Sequence, residues 1–183
     1  MPALALWAPE DGLLGALAPL GCAVAAGSAV VVDLDPAGPR YPGDRSLADL
    51  VRQDPTAEDL RPRRGIAVLR NGGVPAGRAA PVLAALIDAW DHVVLRLPPR
   101  PAPSAGAIPV VPVRLLLPAP WTAATEEPAV YQATPTAAPM PGPGYRLPVP
   151  GRRTVEALLG GRHPGPDRWI RAWKRVWEIP WTA

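Results

Sequence analysis

Two carboxylates, Asp33 and Asp35, end the run Ala29-Val30-Val31-Val32-Asp33-Leu34-Asp35-Pro36 at a spacing of two. On an extended chain that spacing turns both side chains to one side, where paired carboxylates hold a divalent cation or move protons. The same residues also suit a structural job, closing a strand and capping a helix. Nucleotide chemistry would need a phosphate cradle as well, a glycine-rich turn whose N–H groups surround the phosphates while a lysine neutralises their charge. The chain has a single lysine, Lys174, close to its C-terminus. The turn in the corresponding place, Ala8 to Ala16, has scattered glycines but sets Glu10 and Asp11 where an anion would lie. Carboxylates there repel a triphosphate.

A second constellation lies near the C-terminus. Residues Asp167 to Glu178, after Pro166, read as a helix on which Trp169, Trp173 and Trp177 repeat every fourth position and form one stripe. Ile170 and Val176 flank the stripe, and Arg168, Arg171, Lys174 and Arg175 lie beside or opposite it. Three uses fit such a surface. The tryptophans pack into a core, or the stripe with Arg171, Lys174 and Arg175 docks a partner protein, or it lies in a membrane interface.

Other reactive side chains point to less. His92 and His163 are the only histidines and have no Cys or carboxylate at ligand spacing, so no metal site is expected. Cys22, the only cysteine, sits in an apolar stretch and reads as a buried structural thiol in a reducing compartment. Arg61, Arg63 and Arg64 surround Pro62 without interleaved aromatics, and the net charge is only +3, so nucleic acid is not an expected partner.

The elements that must position these groups follow from apolar runs. Ala3 to Trp7, Ala29 to Leu34, Ile66 to Leu69, Val93 to Leu97 and Val110 to Leu117 read as strands, several of them unbroken, as in a parallel sheet covered on both faces. Pro109 and Pro112 place the last of these at an edge, or start it after Pro112. Helices are expected over Gly12 to Ala26, over Leu47 to Gln53 behind Ser46 as N-cap, and over Ala79 to Trp90. Gly12 to Val32 is uncharged and about long enough to cross a bilayer. Pro19, Gly21, Gly27 and Ser28 interrupt it, however, and it reads as helix, turn and strand. Residues 118–144 are rich in Pro, Ala and Thr and read as a mobile extended loop. The 183 residues then form a single domain of α/β class, with that loop and a terminal amphipathic helix over 166–178.

The order of these segments resembles the MinD/ParA family of deviant-Walker ATPases, a branch of the P-loop fold with septum-site and pilus-locus members. Pro2 to Pro9 is similar to the family's first strand, Gly12 to Ala26 to its first helix, and Val30 to Pro36 to its second strand with the "DxD" end. Ile66 to Gly73 resembles the following strand and glycine turn. Asp91 to Pro99 resembles the "DxVVVDxPP" strand, and Leu147 to Leu158 the stretch reading "lPyDrrvaeal". The resemblance implies a Rossmann-like P-loop-type domain, a mostly parallel sheet with helices on both faces. It also shows two departures. The glycine-rich lysine turn is missing, and Arg96 stands where the family has its magnesium-linked Walker B aspartate.

On that resemblance the chain is expected to be a bacterial, cytoplasmic pseudo-ATPase with no cofactor. It would serve as a binding or positioning subunit in a pilus, secretion, division or chromosome-positioning machine, beside a protein partner such as a true ATPase. One alternative is a divergent ATPase completed by another subunit, with Asp33 and Asp35 as its remaining carboxylates for ATP and magnesium. Another is an adaptor peripheral to the inner face of the membrane, working through the terminal helix.

Overall fold

The computed structural model describes residues 3–9, 11–43, 45–53, 55–62, 65–99, 106–113, 128–136 and 139–181. Seven strands form one sheet: β1 (Ala3–Trp7), β2 (Ala29–Asp33), β3 (Ile66–Leu69), β4 (Val93–Arg96), β5 (Ile108–Pro112), β6 (Ala129–Gln132) and β7 (Gly144–Leu147). Their order is β3-β2-β4-β1-β5-β6-β7, and every pairing is parallel. The helices are α1 (Gly12–Ala26), α2 (Leu47–Gln53), α3 (Ala57–Leu60), α4 (Ala76–Ala89), α5 (Arg152–Leu159) and α6 (Arg168–Glu178).

Alternation along β2 shows why its run is apolar throughout. Val31 packs with α1 and α6, whereas Val30 and Val32 pack with α2 and α4 on the opposite face. A strand covered twice has no solvent side to make polar. The α1 face includes Leu17, Leu20, Val24, Trp169 and Trp173. The other face is built on Leu47, Leu50, Val82, Leu86 and Trp90.

Helix α1 begins where the Asp11 carboxylate accepts from the Leu14 N–H at 3.0 Å, and it ends at Gly27 with φ 84°. That left-handed cap suits glycine because a side chain there is strained. With Pro19 inside and both ends in place, α1 is a buried helix of 15 residues. Among the described residues no helix is long and apolar enough to cross a membrane.

Three segments depart from the sequence expectation. Residues 118–144 are not a continuous mobile loop, because Ala129–Gln132 is a wholly buried strand paired to β5 and β7. Four residues are too few to offset the Pro, Ala and Thr around them, so composition hides the strand; residues 118–127, 137 and 138 lie outside the described set. Strand β5 is also interior, although it contains Pro109 and Pro112, and residues 114–117 of the expected strand again lie outside the described set. The Val113 N–H bonds Gln132 O, so alternation turns the nitrogen of Pro112 towards β1, which has already ended at Trp7 opposite Pro109. The Pro109 nitrogen faces β6 level with its start, one position before the Val110–Val130 pair. Neither proline interrupts a ladder bond inside the sheet. Finally, α4 starts at Ala76, ahead of the expected Ala79.

Candidate functional site

The site lies at the C-terminal ends of the central strands, where open parallel sheets place their ligands. Register sets its centre: β2 pairs with β4 so that Asp33 lies opposite Arg96. The Arg96 guanidinium reaches Asp35 through Nη2 at 2.9 Å and Asp33 through Nη1 at 3.5 Å. Nη1 also donates to Pro39 O at 2.6 Å. All three side chains are withdrawn from water, with 1%, 4% and 6% of Arg96, Asp33 and Asp35 exposed.

The loop after β2 closes over this group. Asp33 accepts from the Asp35 N–H at 3.0 Å, and Asp35 accepts from the N–H groups of Ala37 and Gly38, each at 3.1 Å. These are Asx-type turns that hold both carboxylates at fixed angles. Gly38 is required by proximity, since a Cβ there would overlap Arg96 Nη2 and the Asp35 carboxylate. The Tyr41 ring lies 5.1 Å from the guanidinium carbon of Arg96, a cation–π distance, and its hydroxyl donates to Ala16 O of α1 at 2.7 Å. Burial pushes the Tyr41 phenol up, so it stays a neutral donor.

Burial also raises the Asp33 carboxyl to about 6, against the lowering pull of Arg96. The pull is incomplete because the 3.5 Å contact is long, while Asp35 takes the short bond and adds its own negative charge.

The second half of a nucleotide site would be the turn from β1 to α1. Only Ala8 to Asp11 separate these elements, and Glu10 lies outside the described residues. A G-x-x-x-x-G-K-[ST] loop does not fit between such ends. Asp11 places its own carboxylate on the first turn of α1, where a phosphate would take the free N–H groups. Lys174 is on α6, exposed. Nor do the residues present fit magnesium beside ATP, because a guanidinium sits between the two carboxylates that would hold the cation.

Beside this centre is a polar cleft of about 450 Å³ over the ends of β2 and β3, lined by Asp33, Asp35, Arg40, Ser46, Arg70 and Asn71 among others. Asn71, in sequence only one residue of a glycine turn, ties the two strands. Its Nδ2 donates to Asp33 O and Val74 O, each at 3.2 Å, and its Oδ1 accepts from Gly73 N at 2.8 Å. Ser46 caps α2 as expected, exchanging bonds with Asp49. Pro39 and Tyr41 carry no sequence signal, since they lie in an irregular loop and act through one backbone oxygen and one ring.

The terminal tryptophans face inward. Trp169 and Trp173 are 1% and 0% exposed, packed edge to face at 5.7 Å. Both close on Gly21 of α1, where a Cβ would overlap the Trp169 ring and lie 2.9 Å from Trp173 Nε1. Trp169 Nε1 donates to Gln132 at 2.7 Å and Trp177 Nε1 to Cys22 O at 3.0 Å. The docking use of Trp169 and Trp173 is therefore corrected: they are core, because glycine lets the two helices approach closely enough to cover them. Trp177 is half-buried and leans on His92 with ring centroids 4.8 Å apart, while Arg171, Lys174 and Arg175 are exposed.

Among the described residues no group of His, Cys and carboxylates could hold a metal ion. Cys22 is buried, and burial pushes its thiol up. Arg61 pairs with Glu58 at 3.5 Å, while Arg63 and Arg64 lie outside the described residues. No protein-family model matches the chain, and no curated protein matches it.

Proposed function

We propose that this chain is a non-catalytic relative of the MinD/ParA-like ATPases, a pseudo-ATPase that serves as a binding or positioning subunit of a cellular machine. The observation that carries this reading is the buried bridge from Arg96 to Asp33 and Asp35. In an active member the equivalent strand end bears a carboxylate for magnesium; here it bears a cation that neutralises the neighbouring aspartates. The strand order supports the same reading, since β1 and β4, which carry the family's phosphate-loop and Walker B positions, are adjacent, and β2 lies next to β4. By the family resemblance the setting is the cytoplasm of a bacterium and a pilus, secretion, division or chromosome-positioning apparatus, with a true ATPase as partner.

Fixed geometry is what such a subunit gains. Arg96 ties β4 to Pro39 of the loop after β2, and Tyr41 of that loop is bonded to α1. Three elements are locked without a ligand. A phosphate-release assay on the purified chain with ATP and magnesium tests the reading, with release at the buffer rate expected and turnover above it overturning the proposal.

The polar cleft favours one rival, a divergent ATPase completed by another subunit. In the assembled complex, Asp35→Ala would then remove turnover or nucleotide binding. Unchanged turnover and binding in that variant would reject the rival.

A further inference from the structure

With Trp169, Ile170, Trp173 and Val176 buried, α6 shows solvent a face made mainly of cations. Arg168, Arg171 and Lys174 are exposed at steps of three and have no carboxylate within ion-pair reach among the described residues. Arg175 continues the face and pairs with Glu178 at 2.8 Å. The start of α5 joins this surface, because the Thr154 hydroxyl donates to Asp167, the N-cap of α6. A Cβ on Gly151 would lie 2.9 Å from the Asp167 carboxylate, so the start of α5, with the exposed Arg152 and Arg153, adjoins the start of α6; Arg152 pairs with Glu156 at 2.7 Å. Residues 152–178 hold seven of the 19 Lys and Arg residues but only three of the 16 carboxylates, so the chain's positive excess is concentrated here.

We propose that the outer face of α6, extended by the start of α5, docks an acidic α-helix of a partner protein. The proposal rests on the reading above, that the chain works by binding another protein. Complementarity selects the occupant. Cations at steps of three, each advancing about 4.5 Å along a straight rod, are matched by a helix whose carboxylates recur every three or four residues. A lipid surface would need an apolar anchor beside the charges; Trp169 and Trp173 are in the core, and Trp177 is half-buried against His92 with its Nε1 bonded to Cys22 O. A nucleic acid is poorly served by this face, because two of its six cations, Arg152 and Arg175, are paired with Glu156 and Glu178, and no exposed aromatic ring lies among the rest, whereas duplex binding commonly uses about 6 to 10 phosphate contacts.

The test uses the full chain and four fluorescent probes. These are a helical peptide with glutamates along one face, a peptide of the same composition with the glutamates spread around the helix, phosphatidylserine vesicles and a random-sequence DNA duplex. The one-faced peptide is expected to bind best, with affinity falling as salt rises, and Arg168→Glu/Arg171→Glu/Lys174→Glu is expected to weaken it at least about tenfold. The three side chains are exposed, so an unchanged unfolding midpoint checks that the variant folds, and a peptide with lysines in place of the glutamates should bind the variant and not the parent. Equal binding by parent and variant, equal binding of the spread peptide, or tighter binding of vesicles or DNA would overturn the proposal. Phosphate release from ATP is measured on the same samples. Turnover there sinks the pseudo-ATPase reading alone, whereas loss of peptide selectivity sinks the surface alone.

Discussion

Arg96, the last residue of β4, is joined to Asp35 beyond the end of β2 by an ion pair of 2.9 Å from which water is excluded. A buried guanidinium is held only if its charge and its donors are met. Asp33, Asp35 and Pro39 O meet most of them, while Nε finds no partner. The geometry is thus specific to arginine, whose fork reaches two carboxylates and a carbonyl at once.

Removing that fork has a defined cost. Arg96→Ala leaves two buried carboxylates facing each other and is expected to destabilise the fold by about 3 to 5 kcal/mol, read as a lower urea midpoint. Arg96→Leu combined with Asp33→Asn and Asp35→Asn should be less destabilised than Arg96→Ala, because no buried charge is stranded. A triple variant as unstable as the single one would show that the bridge is not the source of the loss.

Asp33 gives the stability a pH signature. Its carboxyl sits at about 6 in the folded chain because of burial, against about 3.9 for an unfolded aspartate. The folded state therefore holds its proton more tightly, and this contribution is complete below the unfolded value and lost as pH rises through about 6. Asp59 acts oppositely: bonds from Arg45 and Thr56 hold it at about 2, so its contribution is present above the unfolded value and lost as pH falls through about 2. Urea midpoints measured between these limits should decline from about pH 4 to about pH 6 in the parent, and Asp33→Asn should flatten that decline.

Gly21 is the point at which α1 and α6 meet. Gly21→Val places atoms where the Trp169 ring and Trp173 Nε1 already lie, and about 1 to 3 kcal/mol of overpacking cost is expected. The change should appear as a lower melting temperature together with a weaker near-ultraviolet tryptophan dichroism. Retained dichroism and an unchanged melting temperature would contradict the packing described.

Trp173→Ala removes a side chain that is 0% exposed and should cost about 3 to 5 kcal/mol. Trp177→Ala, from a half-buried position, should cost less, and comparing the two unfolding midpoints checks which way the helix faces.

How far the sequence carried depended on the kind of information each element needs. Strands β1 to β4 and helices α1, α2 and α6 are marked by local apolar or periodic runs, with Ser46 as a cap signal before α2, whereas the capping roles of Asp11 and Asp167 emerge only in the structure. Strand β6 is four residues among prolines, and β7 reads Gly-Tyr-Arg-Leu with two of its positions exposed, so neither has a pattern long enough to detect. Asp33 and Asp35 are visible as a pair, and Arg96 as a departure from a resembled motif. That they touch is not visible, since Arg96 and Asp33 are 63 positions apart and meet only through the register of β2 on β4. The tryptophan repeat at every fourth residue defines a stripe, but only Gly21, far away in sequence, tells which side of the stripe has room for α1.

The most direct measurement of the central claim is a calorimetric titration of the purified chain with ATP and magnesium to millimolar concentration, with an active MinD/ParA-family ATPase that carries the P-loop lysine as positive control. Arg96 between the aspartates and Asp11 on the first turn of α1 predict no binding heat. Micromolar binding would contradict the account and return the chain to the nucleotide-dependent enzymes.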